Sequence, residues 1–152
     1  MRFRPLEVHD FEGVIEIVEE ISKQKDTYGF NWDRQKLQSE FATSQCFVLE
    51  KANVLIAFLA VKELTDADEI TCIVVRISER GLRHGQKIIQ NFLSSRAGSG
   101  NGASSRNREV WLEVHEMNKP AIKLYQDLGF ITVGNRSNYY SDGGKAILLS
   151  LR

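Results

Sequence analysis

The sequence predicts a mixed α/β fold built on one mostly antiparallel sheet. Three observations carry this. Three apolar runs with strand character follow one another in the middle of the chain, helical periodicities stand on either side of them, and a strand-like run near residue 110 leads into a capped helix. The element order reads β–α–α–β–β–β–α–β–α–β–β, which gives about six or seven strands and about four helices. At 152 residues and 17.3 kDa the chain suits a single domain, 1–152, long enough to bury a real core.

Residues 2–8 alternate weakly as a first strand, and Asp10 is placed to cap a helix whose apolar positions Phe11, Val14, Ile15, Val18 and Ile21 recur at helical spacing. Residues 23–32 are polar with aromatics at Tyr28, Phe30 and Trp32, a loop that touches either the protein's own core or a substrate. Asp33 opens a short helix through Leu37 and Phe41. Cys46–Lys51, Val54–Lys62 and Glu69–Arg76 then read as an antiparallel meander, with turns near Asn53 and Thr65–Asp68. Ile88, Ile89, Phe92 and Leu93 mark a helical face that ends near Ala97, and the Gly-, Ser- and Asn-rich stretch 97–108 reads as a flexible surface loop.

In Glu109–His115, Val110, Leu112 and Val114 alternate with Trp111, Glu113 and His115, a strand with two differently occupied faces. Asn118 can cap the next helix, Pro120 sits in its first turn and Gly129 lies past its end. Phe130–Val133 and Ala146–Leu151 are the last two strands. Within this unit Glu113 is placed to act as a base and Tyr125 projects from the returning helix. A solvated glutamate and a packed tyrosine explain the same residues without chemistry.

Twenty Lys+Arg balance twenty Asp+Glu, so no global field recruits nucleic acid or an anionic membrane. Cys46 and Cys72 lie in apolar runs without metal-ligand partners nearby, which suits buried free thiols, no metal, and a reducing, cytoplasmic setting. The start, MRFRPLEVHDFEG, lacks the apolar core of an export signal, and no apolar run approaches the length of a membrane span.

Residues 70–89, ITCIVVRISERGLRHGQKII, join a strand to a helix through a turn with Gly81 and Gly85. N–H groups at such a helix start can hold a phosphate, and Arg76, Arg80, Arg83, His84 and Lys87 gather positive charge there. Two glycines that only shape a turn, among solvated basic residues, are the alternative.

The element order and these motifs together resemble the GCN5-related N-acetyltransferase (GNAT) superfamily over nearly the whole chain. WLEVHEMNKPAIKLYQDLGF followed by NRSNYY looks like the ribosomal-protein alanine N-acetyltransferase branch, with its pattern LEVR-x-x-N-x-x-A-x-x-LY-x-x-x-GF and then R-x-x-YY. The resemblance implies acetyl-CoA as cosubstrate and a free amine as acceptor, in this branch the α-amino group of a protein. It implies Glu113 as general base and Tyr125 as the acid that protonates the departing thiolate. For the cofactor it implies Ile73, Val74 and Val75 along the pantetheine, Arg80, Gly81, Leu82, Arg83, His84, Gly85 and Gln86 around the pyrophosphate, and Asn118, Ala121 and Tyr125 from the later helix. Tyr28, Trp32, Glu69, Tyr139 and Tyr140 are the candidates for the acceptor side, the paired tyrosines serving equally well as packing. A monomer or a homodimer is compatible with all of this.

The chemistry suits these residue types. An amine attacks a thioester only when unprotonated, so a base must take its proton, and a phenol of pKa about 10 can supply a proton to a thiolate whose own value is about 8.5. An α-amine titrates near 7.7–8.0 and lysine near 10.4, so presenting neutral lysine costs roughly 3–4 kcal/mol more. One moderate base therefore favours an N-terminal acceptor. The usual cofactor loop, Q/R-x-x-G-x-G/A, here has Arg83 at its first glycine and His84 at its aliphatic position. Positive φ at Arg83 would cost about 1–2 kcal/mol, and a guanidinium beside pyrophosphate would return about 1.5–3 kcal/mol. Lys145 stands where the branch usually has an acidic residue. Two alternatives stay open, a small-amine acetyltransferase using Glu69 and Glu116 as an acidic pocket, and a non-catalytic domain that keeps the fold.

Overall fold

The computed structural model describes residues 1–98 and 108–152, and residues 99–107 of the expected surface loop lie outside the described residues. Seven strands form one sheet, β1 (Arg2–Pro5), β2 (Gln45–Lys51), β3 (Val54–Glu63), β4 (Ala67–Val75), β5 (Glu109–His115), β6 (Ile131–Arg136) and β7 (Ala146–Leu151). Among the described residues four α-helices, α1 (Phe11–Ser22), α2 (Arg34–Thr43), α3 (His84–Gly98) and α4 (Lys119–Asp127), follow the expected order. The strands run β1-β2-β3-β4-β5-β7-β6 across the sheet. Among the described residues only β4 and β5 pair in parallel.

Helices cover both faces, so the central strands carry apolar side chains on both sides. On one face Val14, Ile17 and Val18 of α1 and Leu37 of α2 pack with Val48, Phe58, Cys72 and Val74. On the other, Ile88, Ile89 and Phe92 of α3 and Tyr125 of α4 pack with Leu59, Ile70, Leu112 and Leu149. Each such large side chain contributes about 1.5–3 kcal/mol by leaving water. Cys46 and Cys72 are buried free thiols.

Local signals account for most boundaries. Asp33 caps α2 by accepting the Lys36 N–H at 2.8 Å, and Asn118 caps α4 by accepting the Ala121 N–H at 3.3 Å. Gly129, at φ +100°, ends α4 and lets the Phe130 N–H reach back to the Tyr125 carbonyl at 3.0 Å. Phe130 thereby lands against the Tyr125 ring, 5.8 Å between centroids.

Four expectations change. The first strand stops at Pro5, and residues 8–10 make a 3₁₀ turn. Asp10 does not cap α1: its carboxylate is taken by Arg4 at 2.7 and 2.9 Å, because an ion pair outweighs a cap for a carboxylate that is itself buried. The strand expected at Phe130–Val133 runs instead over Ile131–Arg136, pairing with β7 on either side of an irregularity at Val133. The stretch 97–108 starts within α3, and at its other end Arg108 is anchored, donating to the Leu64 and Ala67 carbonyls at 2.7 and 2.8 Å and to Asp68 at 3.1 Å. That anchor ties the β3–β4 hairpin to the start of β5 and holds the parallel pair together.

Candidate active site

β4 and β5 pair over four positions only, from Ala67 opposite Glu109 to Ile70 opposite Leu112. Beyond Ile70, β4 continues to Val75 alongside β3 alone, while β5 continues to His115 alongside β7. The departure coincides with an irregularity in the β3–β4 ladder: Ala60 faces Cys72 and Val61 faces Ile70, leaving Thr71 as the extra residue, its hydroxyl on the Ala60 carbonyl. The bulge also resets alternation. Ile70 faces the α3–α4 core, whereas Cys72 and Val74 face the α1–α2 core and Ile73 and Val75 take over the first side. A cleft thus opens between Cys72–Val75 and the end of β5, with backbone groups of β4 along one edge.

Glu113 stands on the face opposite Val110, Leu112 and Val114, with its side chain 12 % exposed. Its carboxylate forms an ion pair with Arg136, Nε to Oε1 at 3.2 Å, and accepts from the Tyr139 hydroxyl. That hydrogen bond is the chief reason the Tyr139 phenol is raised above its ordinary value. Arg136 also lies over the Tyr139 ring, 5.8 Å from its centroid. Glu69, two positions back across the parallel pair, shares the face; burial, then the charge of Glu113, raises its carboxyl above the usual range. Tyr140 is pushed up to about 12 by burial and by Glu113.

Tyr125 comes from the other face. It is 6 % exposed, and burial pushes its phenol well up, with Cys72 and Tyr140 adding to the effect. The proton on this oxygen is therefore held firmly until a stronger base develops beside it. Glu113 and Tyr125 sit on opposite sides of the sheet, and the cleft between β4 and β5 is the passage that joins them.

At the start of α3, Gly81 and Arg83 have φ of +79° and +63°, so Arg83 does occupy the left-handed position. Gly85 is buried against Leu124 of α4, near Ile73 and Val75. The first N–H groups of α3, at His84, Gly85 and Gln86, begin the helix without intrahelical partners. Gly81, Leu82, Arg83 and Lys87 are exposed around them. Two of the five expected positive residues are engaged elsewhere. Arg76 donates to the Leu55 carbonyl and pairs with Glu16 of α1, and the buried His84 places Nε2 3.2 Å from Glu79. Arg80 is exposed, 3.3 Å from the Gln24 amide oxygen.

The remaining candidates separate. Tyr28, Tyr139 and Tyr140 gather near His115 and Glu113, on the face expected for the acceptor. Trp32 does not: it is 6 % exposed and packs edge-on against Phe58 in the α1–α2 core. Glu116 accepts the Lys145 N–H at 3.0 Å and so braces a turn. Arg136 and His115 were not among the residues singled out from sequence. Arg136 is the Arg of the R-x-x-YY motif, and His115 falls on the Trp111 and Glu113 face in the period-two reading, which carries no sign of its partner Asp142 in the β6–β7 loop.

The chain is similar to characterised and solved proteins. It is 24% identical over 149 residues to a Bacillus subtilis protein provisionally named as an alanine N-acetyltransferase of ribosomal protein bS18, an alignment covering 96% of this chain and 91% of that protein. A stretch of 42 residues is 50% identical to an N-alpha-acetyltransferase of Sulfurisphaera tokodaii, so the match spans 28% of this chain and 25% of that relative. Among solved structures, the ribosomal-protein-S18-alanine N-acetyltransferase of Escherichia coli superposes with a TM-score of 0.82 at 24% identity, covering 99% of this chain and 92% of that one. The profile of the acetyltransferase (GNAT) family matches residues 14–130, most of the chain, and the chain belongs to that family.

Proposed function

We propose that this protein transfers an acetyl group from acetyl-CoA to a free amine, most specifically the N-terminal α-amine of a protein such as a ribosomal protein. The observation that carries the reading is the cleft left where β4 parts from β5, with Glu113 on one face and Tyr125 on the other. The names of the similar proteins support the α-amine as acceptor. The buried free thiols favour the cytoplasm as its place of work.

The residues present fit the cosubstrate. Ile73, Val74 and Val75 offer a strand edge to an amide-bearing arm, the start of α3 offers N–H groups and Arg83 to a pyrophosphate, and Asn118 and Ala121 border the same cleft from α4. Acetyl-CoA supplies the activated acyl group as a thioester. Glu113 takes the proton of the incoming ammonium, directly or through a water, and the neutral nitrogen attacks. N–H groups of β4 are placed to steady the oxyanion that forms. Tyr125 gives its proton to the sulfur as the C–S bond breaks, which returns a neutral thiol, and the proton shed by the new amide nitrogen restores the phenol. Because the two groups act from opposite faces, both substrates are bound at once and transfer is direct.

A small amine is the second reading, favoured by one observation: Glu69 and Glu113 put two carboxylates on the acceptor face. Incubation with acetyl-CoA and a panel of peptides, polyamines and aminoglycosides, with the acetylated atom located by mass spectrometry, separates the two. Acetylation of peptide α-amines is expected. Acetylation of small amines alone overturns the N-terminal reading, and no acetyl-CoA binding by calorimetry at millimolar cosubstrate overturns both.

A further inference from the structure

The imidazole of His115 is 3 % exposed yet has both nitrogens satisfied. Nδ1 accepts the Met117 N–H at 3.1 Å, which leaves the proton on Nε2, and Nε2 meets the Asp142 carboxylate at 2.8 Å. The ring stacks on Tyr140, 4.7 Å between centroids and 29° between planes, and Tyr28 lies 5.9 Å away. Asp142 in turn accepts the Gly144 N–H at 2.8 Å. Space around the ring is full. A methyl group at Gly144 would overlap His115, and one at Gly29 would overlap Tyr140.

Three separate segments therefore close on one side chain: the α1–α2 loop through Tyr28 and Gly29, β5 through His115, and the β6–β7 loop through Tyr140, Asp142 and Gly144. The β6–β7 loop also carries Tyr139, whose hydroxyl holds the Glu113 carboxylate. The α1–α2 and β6–β7 loops therefore meet at His115, two positions from Glu113 along β5, and their joined position bounds the acceptor side. His115 stands where the branch pattern quoted from the sequence has Arg.

The geometry points to His115 as a positioning residue that, through Asp142 and Tyr140, locks the α1–α2 and β6–β7 loops together and so sets the acceptor groove. It touches neither reacting atom. It acts on which amine-bearing chain is held and on where Tyr139 stands, and the inference rests on the proposed reading of the acceptor side.

Asp142 is exposed, so its variants keep the fold while cutting the lock. Asp142→Ala removes the acceptor for Nε2; Asp142→Asn keeps an oxygen there. Amide hydrogen exchange is followed in segments 24–31 and 137–145, with α3 and α4 as internal controls. In Asp142→Ala both segments are expected to exchange about tenfold faster with the controls unchanged, and Asp142→Asn to restore most of the protection. With an acceptor peptide, Asp142→Ala is expected to raise the acceptor KM about tenfold while the acetyl-CoA KM stays within about twofold. Faster exchange confined to 141–145, or equal movement of both KM values, overturns the inference. The exchange arm needs no turnover, so a wild-type protein that acetylated nothing would defeat the proposed function and still leave the lock decided.

Discussion

Arg83 holds φ +63°, a conformation that strains a residue with a Cβ by about 1–2 kcal/mol. Arg83→Gly removes the strain but adds freedom to the unfolded chain, an offset of about 0.4–1 kcal/mol. Its melting midpoint without ligand is expected to rise by roughly 1–4 °C, while calorimetry is expected to show roughly tenfold or more weaker acetyl-CoA binding from the lost charge-assisted hydrogen bond. An unchanged affinity would mean that the guanidinium does not reach the phosphates. Tyr125 gives the complementary case. With its phenol raised by burial, it stays protonated throughout the working range. Tyr125→Phe is expected to lower turnover by roughly ten- to ten-thousandfold with acetyl-CoA affinity retained. Steady-state kinetics with calorimetry decides it, and full activity would remove Tyr125 from the mechanism.

At the scale of elements, much was legible because the periodicities are strong and the punctuation conventional. Val54–Lys62 was expected and Val54–Glu63 is found; Ala146–Leu151 was expected and is found; Asp33 and Asn118 cap where their spacing places them. What stayed hidden depends on partners distant in the chain. Nothing near Asp10 announces Arg4 as a stronger claim on its carboxylate than the helix start, and Arg76 meets Glu16 across 60 positions. Trp32 sits in a polar segment, and only the assembled α1–α2 core reveals the hole it fills. Of the candidate site, the strand glutamate and helix tyrosine are proposed from spacing and resemblance, whereas the contact between His115 and Asp142 joins residues 27 apart through a loop without periodicity. The end of α4 offers a test at this scale. Gly129→Ala, at φ +100°, is expected to cost about 1–3 kcal/mol in urea unfolding, and to loosen Phe130 from Tyr125.

For the whole molecule, two carboxylates push stability in opposite directions as pH changes. Asp10 is held below its ordinary value chiefly by the Arg4 hydrogen bonds. Its contribution is complete above the unfolded value, about 3.9, and is lost as pH falls through the folded one. Glu69 is raised by burial and by Glu113, so its cost is absent in acid, grows from the unfolded value upward and is complete above the folded one. Urea unfolding at pH 3 and pH 7 is expected to show Asp10→Asn destabilised mainly at pH 7, and Glu69→Gln slightly more stable than wild type there. A Glu69→Gln protein less stable at pH 7 would show that this carboxylate supports the fold.

The extra residue at Thr71 makes chain length, as distinct from residue identity, the variable that matters at that point. Every substitution there leaves the count intact, and the strand still turns Ile73 and Val75 toward α3 and α4. Deleting the one residue would bring Ile70 and Cys72 into direct succession opposite Val61 and Ala60, an unbroken alternation that keeps Cys72 and Val74 on the α1–α2 side and Ile73 and Val75 on the α3–α4 side while removing the irregularity beside which β4 parts from β5. A deletion scan along β4 is expected to find, by urea unfolding, that loss of Thr71 is better tolerated than loss of Cys72, Ile73 or Val74, each of which would turn one part of the strand to the wrong face, a difference that surveys limited to point substitutions would never register.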